Sequence, residues 1–174
     1  MTDDVKKELA VARKRFSREG AELGSGLFDK LLSLHPDYSS EILRERSYAF
    51  SEFDMFEEAL NDRQVVIESG AGVVADYYFA GEYALQARRL ELSRDLFDQT
   101  IERSLRSDST YYIQSSRLLA ALVSHQLHEN DRCLDYLSLI DDDVEILWLK
   151  GFDRVSKKLL LGAILPHEKK TRSD

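Results

Sequence analysis

A chain of 174 residues with 43% hydrophobic content and one cysteine is long enough for one sizeable core and is expected to form a single domain, 1–174, without an internal disulfide. Its formal net charge of -8 would repel phosphate backbones on average, which argues against nucleic acid as a partner and suits a basic protein instead. No charged-then-apolar leader follows Met1, and the apolar stretch Leu159 to Leu165 is far below the roughly twenty residues of a membrane-spanning helix, so a cytoplasmic location without a membrane anchor is expected.

Only two prolines and eight glycines occur, and apolar residues recur at helical spacing almost throughout, which predicts an all-α fold. The first helix runs from about Asp3 to Arg18 on a stripe of Val5, Leu9, Ala12 and Phe16, and Gly20 separates it from a second, about Ala21 to Leu34, stopped by His35-Pro36. Ser39 and Ser40 are candidate caps for a third helix carrying Leu43, Ser47 and Phe50, and a fourth carries Phe56, Ala59, Leu60, Val66 and Ile67 before Ser69-Gly70-Ala71-Gly72. An aromatic fifth helix spans about Val73 to Ala87, and a sixth spans about Leu90 to Leu105. After Ser107-Asp108-Ser109 a seventh takes Tyr112, Leu118, Leu119, Leu122 and Val123, and an eighth begins near Asn130. Asp141-Asp142-Asp143 then offers N-caps for a last helix, Val144 to about Leu161.

The helices repeat in pairs. Leu43 to Phe50 aligns with Tyr77 to Ala84, and Phe56 to Ala59 with Leu90 to Ser93, so that Ser47 and Gly81, and Ala59 and Ser93, are small residues 34 positions apart. Small side chains at both places let the axes of two paired helices cross closely. On these residues, together with Phe97, the segment Tyr77 to Ser104 resembles a tetratricopeptide repeat, although Leu105 stands where that family usually has proline. The flanking units depart further. Ser25 is the counterpart of Ala59 in the first, where Arg13 occupies a position expected to be small; Ala121 and Cys133 serve in the last, after a longer connection.

The resemblance implies a tetratricopeptide-like superhelix of four degenerate pairs, about 5–38, 40–73, 74–107 and 110–141, with a capping helix at about 143–162 in which Leu147 and Trp148 cover the last apolar face. An irregular helical bundle is the alternative architecture. It further implies that the first helices of the pairs line a concave groove, here Lys7, Lys14, Arg18, Arg44, Tyr48, Tyr78, Glu82, Gln86, His125 and Gln126. That groove is polar, and basic at its first end. The Lys, Asn and Arg set with which some members of the family hold a C-terminal carboxylate is not reproduced. About half of Tyr77, Tyr78, Tyr111 and Tyr112 are expected in the core, with Tyr78 as the candidate exposed ligand contact.

Chemistry-bearing clusters are sparse. His125 and His128 with Glu129, Asp131 and Cys133 have metal-ligand composition, yet they flank a turn, and Cys133 already serves as a small packing residue. Gly20, Gly24 and Gly26 lack the preceding strand and the Gly-Lys-Ser/Thr ending of a phosphate cradle. Glu57 and Glu58 are adjacent and point in different directions on a helix. No catalytic arrangement, cofactor or metal is therefore expected. The expectation is a protein-binding module: an acidic immunity or inhibitor protein against a basic toxin, or alternatively a chaperone or adaptor for a secreted or regulatory protein, with a nucleic-acid-associated regulator as a further alternative. The oligomeric state is left open.

Overall fold

Helix α1 (Asp3–Glu19) starts where the Thr2 hydroxyl accepts the Val5 N–H at 3.4 Å and where Asp3 and Asp4 lie at the positive end of the helix dipole. The computed structural model describes residues 1–107 and 109–164, apart from the side chains of Glu22 and Leu23; Asp108 of the expected turn and Leu165 of the apolar stretch lie outside the described residues. Two compact units, Met1–Arg89 and Leu90–Asp174, divide the chain.

In the first unit α1 buries its predicted stripe of Val5, Leu9, Ala12 and Phe16. Gly20, at φ 86°, turns the chain into α2 (Ala21–Leu34). A short 3-10 turn, Pro36–Tyr38, leads into α3 (Ser39–Glu52), so Ser39 and Ser40 sit inside the first turn of that helix rather than capping it. Proline's fixed φ suits the start of the 3-10 turn, which is why the helical path begins earlier than the serines suggest. Helix α4 (Phe56–Glu68) closes at Ser69-Gly70, and α5 (Val74–Gln86) completes the unit. Helix α1 packs on α2 and α3, α3 on α4, and α4 on α5. Phe16 holds the first three helices together, meeting Phe28, Phe50 and Phe53 edge-on at 6.1, 5.4 and 5.3 Å between ring centroids.

The second unit begins with α6 (Leu90–Arg106), which packs on α7 (Ile113–Gln126), and α7 packs in turn on α8 (Asn130–Ser138). Ser116 and every residue from Leu118 to Ser124 of α7 are buried. The run Leu118-Leu119-Ala120-Ala121-Leu122-Val123 has no charged face, and a helix apolar all round belongs in the middle of a core.

The predicted capping helix does not form as a single element. Strands β1 (Glu145–Ile146) and β2 (Val155–Ser156) pair antiparallel, Glu145 opposite Ser156, and α9 (Lys157–Ile164) follows. Gly151, at φ 79°, interrupts the helical path, and β-branched Ile146 and Val155 occupy the paired positions. Leu147 and Trp148 are 57% and 65% exposed, and Ile146, Leu149, Val155 and Leu160 are buried instead. Both strands and α9 lie against α7.

The small residues expected at helix crossings are all buried: Ser47, Ala59, Gly81 and Ser93, with Ala121 and Cys133 later in the chain. In the first pair the structure replaces Arg13 and Ser25 by Ala12 and Gly24. Arg13 and Ser25 are only partly buried, whereas Ala12 and Gly24 are buried, and a Cβ on Gly24 would lie 2.4 Å from the Phe16 Cα. With that shift of one residue, Ala12 and Gly24 stand at the same interval as Ser47 and Ala59, Gly81 and Ser93, and Ala121 and Cys133.

A second regularity is carried by the backbone. Asp54, Arg88 and His128 adopt the left-handed conformation at φ 62°, 61° and 61°, each seven residues after Ser47, Gly81 and Ala121. The following amide closes the helix end on a carbonyl five residues back: Met55 to Phe50 at 3.1 Å, Arg89 to Ala84 at 2.8 Å and Glu129 to Ser124 at 2.9 Å. This is the Schellman closure, which glycine usually supplies. Among the described residues the protein is thus all-α but for one short strand pair, with nine helices packed mainly on chain neighbours within each unit. No described helix is long and apolar enough to cross a membrane.

Candidate partner-binding surface

Lys7, Lys14 and Arg18 fall on the side of α1 opposite its buried stripe, as their spacing requires, and all three are exposed. Lys7 has a loose pair with Asp4 at 3.8 Å. Helix α3 contributes Tyr48, 44% exposed, beneath the Arg13 guanidinium, which lies 5.0 Å from the ring centroid and also bonds Glu45 at 3.1 Å. Arg13, placed by sequence at a packing position, is thus a surface residue linking α1 to α3.

Arg44 is not a free groove cation. Its Nε and Nη2 donate to both carboxylate oxygens of Asp76, at 2.9 and 2.8 Å, and Nη2 also reaches the Ala71 carbonyl at 2.8 Å. Asp76 is wholly buried and further accepts Arg63 Nη1 at 2.6 Å and the Val73 N–H at 2.9 Å. Burial alone would push the Asp76 carboxyl up, but the hydrogen bonds from Arg44, Val73 and Arg63 outweigh it and hold its pKa below the ordinary aspartate value. Arg63 is itself buried, and its guanidinium lies over the Phe79 ring at 5.2 Å. Beside it, Asp62 forms a two-pronged pair with Arg46 at 2.8 and 2.7 Å, and Arg46 also bonds Asp29 of α2. Here burial wins, and the Asp62 carboxyl is pushed up despite Arg46. The network ties α2, α3, α4 and α5 together; it is a structural clamp rather than a binding face.

Tyr78 is also overturned as an exposed contact. It is 4% exposed, and its hydroxyl donates to Glu82 Oε1 at 3.3 Å. Tyr77, Tyr78 and Tyr83 of this helix are all buried, because large rings gain most by burial. Glu82 and Gln86 are half-buried along the same helix. Of the expected groove residues in this unit, Lys7, Lys14, Arg18 and Tyr48 are left exposed.

In the second unit, His125 and Gln126 end α7 half-buried, with His125 Nδ1 and Gln126 Oε1 buried and lacking hydrogen-bond partners among the described residues. The histidine cluster is dispersed: Glu129 accepts Arg94 at 2.6 Å, His128 takes the left-handed turn position, and Cys133 lies in the core. Burial pushes the Cys133 thiol up to about 11. Among the described residues no group of three or more His, Cys, Asp or Glu is placed to hold a metal ion.

Sequence reasoning missed Asp29, Arg46, Asp62, Arg63 and Asp76. One signal was present: Asp76 stands three residues after Val73 at a helix start, the position from which an acid reaches back to an orphan amide. No protein-family model matches the chain, and no curated protein matches it significantly.

Proposed function

We propose that the chain is a tetratricopeptide-like helical repeat protein acting as a non-enzymatic binding module, in the form of an acidic inhibitor or immunity protein that covers a basic toxin domain. The carrying observation is the fourfold recurrence of two buried small residues at one interval, with the same helix closure repeated at Asp54, Arg88 and His128. Stacked helix pairs of this kind work through shape and side-chain complementarity. The net charge of -8 supports a basic partner, because long-range attraction raises the encounter rate before contact. Of the expected groove, Lys7, Lys14, Arg18 and Tyr48 are exposed, and Tyr48 is the contact kept for a basic partner; Arg44 and Tyr78 are withdrawn.

The test is affinity purification with the tagged protein from its host, followed by mass spectrometry and by titration of the purified pair. A basic protein should co-purify, and its affinity should fall steeply with added salt. Failure to retain any protein, or an affinity indifferent to salt, overturns the proposal. Tyr48→Ala should leave the far-UV helical signal intact while weakening that complex.

A further inference from the structure

The first two helices leave a cleft of about 340 Å³ between them. Its apolar lining comes from Val11 and Ala12 on α1 and from Leu27, Leu31 and Leu34 on α2. Val11 and Leu34 form a rim that is 57% and 58% exposed, which is costly on a surface otherwise charged at these helices. The charged lining residues are Lys7, Lys30 and Glu8. Glu8 is engaged, bonding His35 Nε2 at 3.0 Å. Lys30 is exposed, and Lys7, among the described residues, has a loose, exposed pair with Asp4 at 3.8 Å, so both ammonium groups can turn to an incoming anion.

We propose that this cleft binds a free amphipathic carboxylate, with an unbranched alkyl chain of medium length along the leucines and the carboxylate between Lys7 and Lys30. The volume falls within the range of small-molecule sites, which are mostly apolar with a few charged groups that fix orientation. Its lining, five apolar residues with charge only at Lys7, Lys30 and Glu8, matches one alkyl chain with one charged end; a partner helix is the competing occupant that the peptide arm of the test separates. The sign of the head group follows from the two lysines: in a chain of net charge -8, a locally basic mouth selects an anion against the field of the whole protein. The site uses neither Lys14, Arg18 nor Tyr48; it shares Lys7 with the expected groove, and its detergent readouts do not depend on the protein-binding reading.

Dodecanoate below its micellar concentration is the probe, titrated into the full-length protein by calorimetry and by amide chemical-shift mapping. One equivalent should bind, with shifts concentrated in α1 and α2, and dodecyltrimethylammonium should bind at least ten-fold more weakly. Val11→Asp with Leu34→Asp changes two exposed side chains and should abolish binding while the far-UV spectrum is retained. Lys7→Glu with Lys30→Glu should weaken dodecanoate at least ten-fold and strengthen the cationic analogue. Equal binding of the two detergents, shifts spread over α6 to α8, or dodecanoate affinity unchanged in both double variants would overturn the proposal. So would tight binding of an acidic amphipathic peptide that dodecanoate fails to displace, or sedimentation of the protein with phosphatidylglycerol vesicles.

Discussion

Replacing Asp76 by asparagine tests the clamp at its centre. The wild-type carboxylate neutralises Arg63, which has a side-chain exposure of 8%, and Arg44, at 26%, while also holding the Val73 amide. Asparagine keeps one acceptor oxygen but turns an NH2 group toward two guanidinium donors, and leaves Arg63 buried without a counter-charge. Breaking a buried pair in this way costs about 3 to 5 kcal/mol. Asp29→Asn, at the 64% exposed end of the neighbouring network, should cost under about 1 kcal/mol. Urea unfolding followed by far-UV circular dichroism at neutral pH measures both. A cost for Asp76→Asn within about 1 kcal/mol of wild type would refute the clamp. Acid gives a second readout. Because the folded Asp76 pKa is lowered, its stabilisation is complete above the ordinary aspartate value of about 3.9 and is lost as pH falls through the lower folded value. The stability gap between wild type and variant should therefore narrow from about pH 5 to pH 2. Asp62, raised by burial, works oppositely: what it contributes is present in acid and lost as pH rises through its folded value. The gap, rather than the wild-type curve, is thus the measure, and a gap that widens in acid would contradict the assignment.

Three further outcomes follow from local geometry. Arg88→Gly should stabilise the protein by up to about 1 kcal/mol, because glycine adopts the φ of 61° without a Cβ clash; thermal melts that show a loss would contradict the turn assignment. Gly24→Ala should destabilise by about 1 to 3 kcal/mol, since its Cβ would lie 2.4 Å from the Phe16 backbone, and an unchanged urea midpoint would refute the close crossing. Cys133, fully buried with its thiol pushed up to about 11, should resist a neutral disulfide reagent until denaturant is added; rapid labelling of the native protein would show otherwise.

The helices and most of their ends could be read from the chain because they rest on local signals: an apolar stripe such as Val5, Leu9, Ala12 and Phe16, and stops at Gly20, Pro36 and Gly70. What escaped depends on partners distant in sequence. Arg44 looks like a surface cation until Asp76, 32 residues on, folds against it, and Tyr78 looks exposed on a helix with more rings than one face can carry. The register of the first pair slipped by one because a strict interval of 34 leads from Ala59 to Ser25, whereas the close approach to Phe16 is made by Gly24. The last segment failed for a similar reason. Ile146 and Leu149 fit a helical stripe, and the pairing of Ile146 with Val155 is a non-local event that no window over either residue reveals.

Helix α7 presents no side to water along Leu118 to Ser124, and this bears on how the molecule breathes. A helix with one wet face can fray or lift away while its neighbours stay in place. One wrapped by other elements cannot bare its central amides until those elements part. Deuterium uptake at Ala120, Ala121 and Leu122 should accordingly be the slowest in the second unit, and it would serve as an internal clock for the cooperative opening of the helices around it.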